Sequence, residues 1–403
     1  MGREMKSHIV GPMPPEEFLR MFLPISQIPH YDDSSFTSAF NAGIFKSTIA
    51  APDEQHAYEP FINTMKSFAP QLSFIDSHSN SDMVNCSSFT FSIKPDVCVY
   101  ADTTSRGTDI STAEVIIEFK WGYCHDAFRD IGDSIVSSTD NSMDTLGQIT
   151  SYAAAQLGAQ YRTHVFSALI VRDCARIIRW DREGAIVTSV IKYNTEPYLA
   201  DFFHRFARAS PALRGIDTSI SPASLQEAAL ARSWLSLPDT KRMFKLSIPV
   251  VDSSDMLTLI IPQPVAYGIP PVGRGTRTCP AFDLLNKKVV MFKDSWRVSL
   301  PDVLPEGETY RLLMSRKVHN IASCLAYHDV PHSIPQQFTQ TVKLSSAAWA
   351  RSNTATTPHI LHRLALNIVG NKLTKFQSSH QLVQSIRDAL IGTYFGTSKC
   401  LFI

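Results

Sequence analysis

Apolar positions recur at helical spacing in DEQHAYEPFINTMKSFAP, where Tyr58, Phe61, Ile62, Met65 and Phe68 form one stripe and Pro70 closes the segment. Pro60 inside it predicts either a kink or a later helix start. Short β-rich runs come next: FTFSIKPDVCVYAD and AEVIIEFKW, separated by the polar TTSRGTDIS. LGQITSYAAAQLGAQ is alanine-rich and helical. HVFSALIV, ARIIRWD and AIVTSVIKY read as an antiparallel meander turning at RDC and REG. Leu199, Phe202, Phe203 and Phe206, at i, i+3, i+4 and i+7, close the block as a helix. This order predicts an α/β (α+β) fold over residues 51–210, a mixed sheet flanked by helices.

On either side the pattern changes. Residues 1–50 hold one helix-like patch, EEFLRMFLP, then weakly periodic Ser/Thr-rich sequence, and read as a partly ordered arm. ARASPALRGIDTSISPAS reads as a linker and, with the helix LQEAALARSWL, fills 211–240. Residues 241–403 form a second β-rich block: strands MFKLSIPVV, MLTLIIPQPV, RTCPAFD and VVMFKDSW, a helix in PEGETYRLLMSRK, strands IASCLAYHDV and HILHRLALNIVG, and a last helix HQLVQSIRDALIGTYF.

Composition narrows the function classes. With 44% hydrophobic and 19% charged residues the chain is globular. Its 38 Lys and Arg against 37 Asp and Glu give a net charge of +1, which argues against a general electrostatic grip on nucleic acid and leaves only a local basic patch open. Seven cysteines without a CxxC pair read as reduced thiols, not as a disulfide or zinc framework. The N-terminus lacks an apolar run long enough for a signal peptide or a membrane helix, so the expectation is an intracellular protein, cytoplasmic or nuclear, with no membrane partner. Nothing in the composition names a protein substrate or partner.

One carboxylate–lysine group carries chemistry. Side chains two apart on a strand share a face, so Glu118 and Lys120 point one way while Ile117, Phe119 and Trp121 fill the other. Two ions at the end of a buried strand are costly unless they pair or bind something. Asp96 begins the neighbouring strand. One reading is an ion pair capping the strand. The other follows from likeness: Asp96, Glu118 and Lys120 together resemble the PD-(D/E)xK nuclease superfamily, which implies a restriction-endonuclease-like domain. That resemblance further implies Mg²⁺ held by Asp96 and Glu118, a water-activating Lys120, a site-facing Gln148 and an additional acidic ligand at Glu54.

A second constellation lies downstream. Lys293 ends the apolar strand of VVMFKDSWR, and Gly273 and Gly275 form a Gly-x-Gly just upstream in VGRGTRTCPAFD. A glycine-bearing turn followed by a strand lysine is the layout that covers and pairs ATP phosphates in kinases. Glu306 on the next helix can pair with Lys293; Glu308 competes for that role. Together with GQITSYAAAQLGAQYRTHVFSALI, RIIRWDREGAIV, RLALNIVGNKLTKFQSS and LVQSIRDAL, these segments resemble the fungal-type protein kinase family from about residue 50 to 395.

The resemblance implies a kinase-like N-lobe, a five-stranded antiparallel sheet plus helix, and the start of a C-lobe, with ATP held by Gly273, Gly275, Lys293 and Glu306. In that family an HRD-like and then a DFG-like loop follow the IRDAL-like helix. Here IRDALIGTYF is followed by GTSKCLFI, and His362–Leu364 (HRL) falls in a predicted strand. The expectation is therefore a truncated kinase-like protein, inactive as a kinase by itself. The alternatives are a Mg²⁺-dependent nuclease run by Asp96, Glu118 and Lys120, or a non-catalytic interaction or nucleotide-binding module. Arg162, Arg176 and Arg179 either touch phosphate or steady the Asp173 and Asp181 turns, and Trp180 and Trp296 read as packing anchors.

Overall fold

The computed structural model describes residues 1–101, 107–268, 270–330, 338–351, 357–371 and 373–400. They fall into two compact units. The first comprises Met1–Thr218, Pro264–Gly275 and Ile334–His359; the second comprises Ser219–Gln263, Thr276–Ser333 and Ile360–Ile403. Each is a multi-stranded sheet with helices, a mixed α/β architecture consistent with a kinase-like fold. Among the described residues no helix is long and apolar enough to cross a membrane.

The first unit runs α1 (Gly2–Met5), β1 (Ile9–Met13), α2 (Pro15–Phe22), α3 (Asp33–Ala39), α4 (Lys46–Ile49), α5 (Glu54–Phe68), β2 (Ser73–Asp76), β3 (Val97–Tyr100), β4 (Val115–Lys120), α6 (Asp140–Ala159), β5 (Val165–Val171), β6 (Cys174–Trp180), β7 (Ala185–Thr188) and α7 (Tyr198–Arg208). Strand order is β1-β7-β6-β5-β4-β3-β2. The β4–β5 and β1–β7 pairs are parallel and the others antiparallel. A parallel β4–β5 pair needs a crossover, and α6 supplies it. Helices cover both faces. Phe61, Met65, Phe202 and Phe206 pack on one side with Ile117, Phe119 and Phe166, while Leu146, Ile149 and Leu157 pack on the other with Leu169 and Ile178. The inner strands are buried throughout for that reason.

Two expectations change here. The first fifty residues are not a loose arm: Ile9–Met13 is a fully buried strand paired with β7, and Phe18 and Leu19 enter the core. Gly11 and Pro12 hid that strand from a propensity reading. Helix α5 runs through Pro60 from Glu54 without restarting there, capped by Asp53, whose carboxylate accepts from the His56 amide at 3.1 Å. The linker expected from residue 211 is likewise tied down as far as Asp217. Thr163 donates to the Gly215 carbonyl at 2.9 Å and Asp217 to that of Tyr161 at 3.1 Å.

The chain also returns to this unit twice. Ser88 Oγ donates to the Ala266 carbonyl at 2.6 Å. The Gln340 amide and Thr341 Oγ1 reach Asp181 at 2.8 and 3.1 Å.

The second unit runs β8 (Ser221–Pro222), α8 (Leu225–Leu235), β9 (Met243–Pro249), β10 (Met256–Pro262), β11 (Arg277–Asp283), β12 (Lys288–Val298), α9 (Glu306–Ser315), β13 (Cys324–Asp329) and β14 (His359–Leu366), and ends in the helix Ser379–Cys400. Its sheet has seven strands where five were expected, in the order β13-β14-β12-β11-β10-β9-β8. The β9–β10 and β11–β12 hairpins are antiparallel. A capping box between Ser224 and Glu227 starts α8, whose Ala228 and Ala231 pack on Met243, Ile260 and Phe282. Trp296 fills a buried niche with Val330 and Leu361, as its reading as an anchor requires.

Gly215 has φ +89°, and a Cβ there would lie 2.1 Å from the His164 carbonyl oxygen. Gly43 has φ +97° but open space around it. Gly215→Ala should therefore cost about 2 kcal/mol or more and Gly43→Ala about 1 kcal/mol, read from urea midpoints. Equal losses would contradict the packing described.

Candidate functional site

Strand alternation places Ile117 and Phe119 toward α5 and sends Glu118 and Lys120 the other way, as the ExK spacing predicts. Lys120 Nζ donates to Glu118 Oε1 at 2.5 Å, with Glu118 fully buried and Lys120 about a sixth exposed. Asp96 Oδ2 accepts the Phe119 amide at 2.8 Å. Tyr58 Oη lies 2.9 Å from Asp96 Oδ1 and 3.1 Å from Glu54 Oε1. A phenol has one proton to give. If it goes to Asp96, Glu54 must bring a proton of its own to make the second contact. Burial, and then the Asp96 charge, raise the Glu54 carboxyl in the sense that this requires. Burial, and then Asp96, likewise push Glu118 well above the ordinary carboxyl range, against the opposing pull of Lys120. Burial pulls Lys120 down, but Glu118 outweighs it and the net direction is up.

Tyr58 is the member of this cluster that the sequence concealed, because it counted only as part of an apolar stripe. Gln148 reaches the acids through a tyrosine: its Nε2 donates to Tyr152 Oη at 2.8 Å, Tyr152 donates to the Lys94 carbonyl at 2.9 Å, and Tyr152 feels the charges of Glu118 and Asp96. Gln148 and Tyr152 line a cavity of about 440 Å³ together with Met1, Phe91, Ser92, Gly147 and Ser151.

The fit to a divalent ion can be tested on these contacts. Both Asp96 oxygens already accept protein donors, and Glu118 Oε1 accepts from Lys120. Glu118 Oε2 is buried without a partner. The second oxygens of Glu118 and Glu54 do not by themselves make a cage, and among the described residues no three His, Cys, Asp or Glu side chains group as ion ligands. As placed, these residues do not fit the Mg²⁺ site expected of them.

In the second unit, Lys293 rises from β12 and donates to both oxygens of Glu306, at 2.6 and 2.7 Å. Glu306 is the first residue of α9, where a carboxylate also meets the positive end of the helix. Glu308, the competing choice, instead accepts from Arg311 and, at 2.6 Å, from Tyr327 Oη, and these contacts lower its carboxyl to about 2. Lys293 is about a fifth exposed. An ammonium has three protons, and two point at Glu306, so one is left for an incoming acceptor.

Gly273 and Gly275 belong to the first unit, where the Gly273 amide donates to the Arg182 carbonyl at 2.7 Å. A Cβ on Gly275 would meet the Arg182 guanidinium at 2.6 Å. The HRL string lies in β14, with Arg363 on Asp294 at 3.2 Å and His362 on Asp329 at 2.9 Å.

The sequence model of the fungal protein kinase family matches residues 131–394, more than half of the chain. The chain belongs to the fungal protein kinase family. No curated protein and no solved structure matches it. The family match takes in Gln148, Lys293 and Glu306 and begins after Glu54, Asp96, Glu118 and Lys120. The arginines of this family member's meander serve its turns and loops: Arg179 pairs with Asp181 at 2.8 Å, Arg176 with Asp126 and Asp130, and Arg162 with Glu114. Asp173 is held by Lys192 and Tyr123 instead.

Because folding raises the Glu118 carboxyl, its contribution to stability is complete below the ordinary carboxyl range and is lost as pH rises through the folded-state value. Glu118→Gln has no proton to lose. Relative to wild type it should gain stability as pH rises above the ordinary carboxyl value of about 4.5, until the folded-state value is passed, a gain followed by urea unfolding at a series of pH values. A difference that stays flat or shrinks with rising pH would sink the assignment of a proton-holding Glu118.

Proposed function

We propose that the second unit of this fungal protein kinase family member holds a nucleoside triphosphate, with ATP the expected one, through Lys293. We further propose that residues 1–403 as they stand hold it without transferring its phosphoryl group. The observation that carries this reading is the two-pronged Lys293–Glu306 contact, with one ammonium proton free at a partly open position. Glu306 sets the direction of the ammonium, and that remaining proton suits a phosphate oxygen. Transfer itself needs an aspartate for the substrate hydroxyl and ligands for metal. The HRL string does not supply them, since His362 and Arg363 are committed inside β14.

ATP at a hundred times its dissociation constant should stabilise the protein by about 2.7 kcal/mol, seen as a rise in melting temperature. Lys293→Ala should abolish the rise and Glu306→Gln should reduce it. A wild-type protein indifferent to ATP ends the binding proposal. Lys293-dependent transfer of label from ATP by residues 1–403 ends the second half.

A further inference from the structure

Helix α9 begins without a capping side chain: its N-cap is Pro305, and no side chain there meets the first amides. Free amides at a helix start need acceptors. One comes from β14. The Gly307 amide donates to His362 Nε2 at 3.4 Å, and both residues are buried. His362 Nδ1 faces Asp329 Oδ1 at 2.9 Å, and Asp329 is gripped by Arg297 through Nε at 2.8 Å and Nη2 at 2.5 Å. A carboxylate can only accept, so the proton of this imidazole sits on Nδ1 and leaves Nε2 bare to receive the Gly307 amide. Arg297 stands four residues along β12 from Lys293, on the same face.

The contacts therefore close a ring: Lys293, Glu306, Gly307, His362, Asp329, Arg297, and back to β12. Packing reinforces it. A Cβ on Gly307 would lie 1.9 Å from Tyr327 Cγ, so the Tyr327 side chain of β13 packs directly on the α9 backbone at this glycine. Tyr327 also donates to Glu308 one residue further on.

We infer that His362 is a positioning residue: oriented by Asp329 and Arg297, it fixes the first turn of α9 so that Glu306 is held against Lys293. The value of this arrangement for ligand binding rests on the nucleotide reading above; the arrangement itself does not. Asp329 sets the tautomer. An asparagine at position 329 can place its amide toward His362 Nδ1, which moves the imidazole proton to Nε2 and points it at the Gly307 donor. Loss of the tautomer should thus act like loss of the ring.

The test reads Lys293 directly. Limited acylation with an amine-reactive ester, quantified by mass spectrometry, reports how free the Lys293 amine is, with the remaining lysines as internal references. Glu306→Ala sets the fully released level. His362→Ala and the near-isosteric Asp329→Asn should raise Lys293 labelling three- to tenfold toward that level, the range expected for losing one supporting hydrogen bond. His362→Gln, which can offer an amide oxygen near the Nε2 position, should stay near wild type. Labelling of the other lysines should not change, and a global rise in any one variant moves the decision to the others. Lys293 labelling that stays at the wild-type level in both His362→Ala and Asp329→Asn overturns the inference. ATP titration in parallel separates the two claims. A wild type that ignores ATP while the labelling responds as stated removes only the nucleotide reading. A wild type that binds ATP while labelling is unmoved removes only the role of His362.

Discussion

Taking a carboxylate or a guanidinium out of water costs several kcal/mol even after relaxation, so a sheet that buries ions must bring opposite charges together inside the same unit. Both sheets obey this. In the first, Arg162 meets Glu114, Arg176 meets Asp126 and Asp130, and Arg179 meets Asp181. In the second, Asp294 lies between Arg277 and Arg363, and Asp329 meets Arg297. Lys293 and Glu306 follow the same rule at a less buried position, where one proton remains outward. In the first unit, three carboxyls share one lysine and a phenol, and burial raises two of them, Glu54 and Glu118, toward the protonated form.

Much of this was legible in the sequence, and the reasons differ by element. The stripe from Tyr58 to Phe68, the meander of β5 to β7 and the phenylalanines of α7 have strong periods, because each element turns one face to a core built from its neighbours. Lys293 was legible because a cation directly after an apolar run needs an explanation, although β12 does not end there but continues to Val298. The partner of this lysine was narrowed to Glu306, with Glu308 as the competitor. Both are half-buried on one helical turn, and the Arg311 and Tyr327 contacts of Glu308 separate them.

The strand at Ile9–Met13 and the role of Tyr58 were also hard to read because their partners, the strand Ala185–Thr188 and Asp96, lie far along the chain. His362 attracted notice through its tripeptide, which falls within β14. Its actual contacts, Gly307 and Asp329, are 55 and 33 residues away.

The return visits of the chain to its first unit carry a practical meaning. Residues 264–275 and 334–359 are contributed by excursions out of the second sheet, and Asp181 is clasped by residues 340 and 341. Neither half can be excised with one cut. A clone ending at Thr218 would strip Asp181 and Ser88 of partners encoded a hundred or more codons downstream, and one starting at Ser219 would carry two loops without their seat. Insertion, deletion or exchange at the apparent boundary would disturb both sheets, so the smallest portable piece of this protein is an interleaved whole.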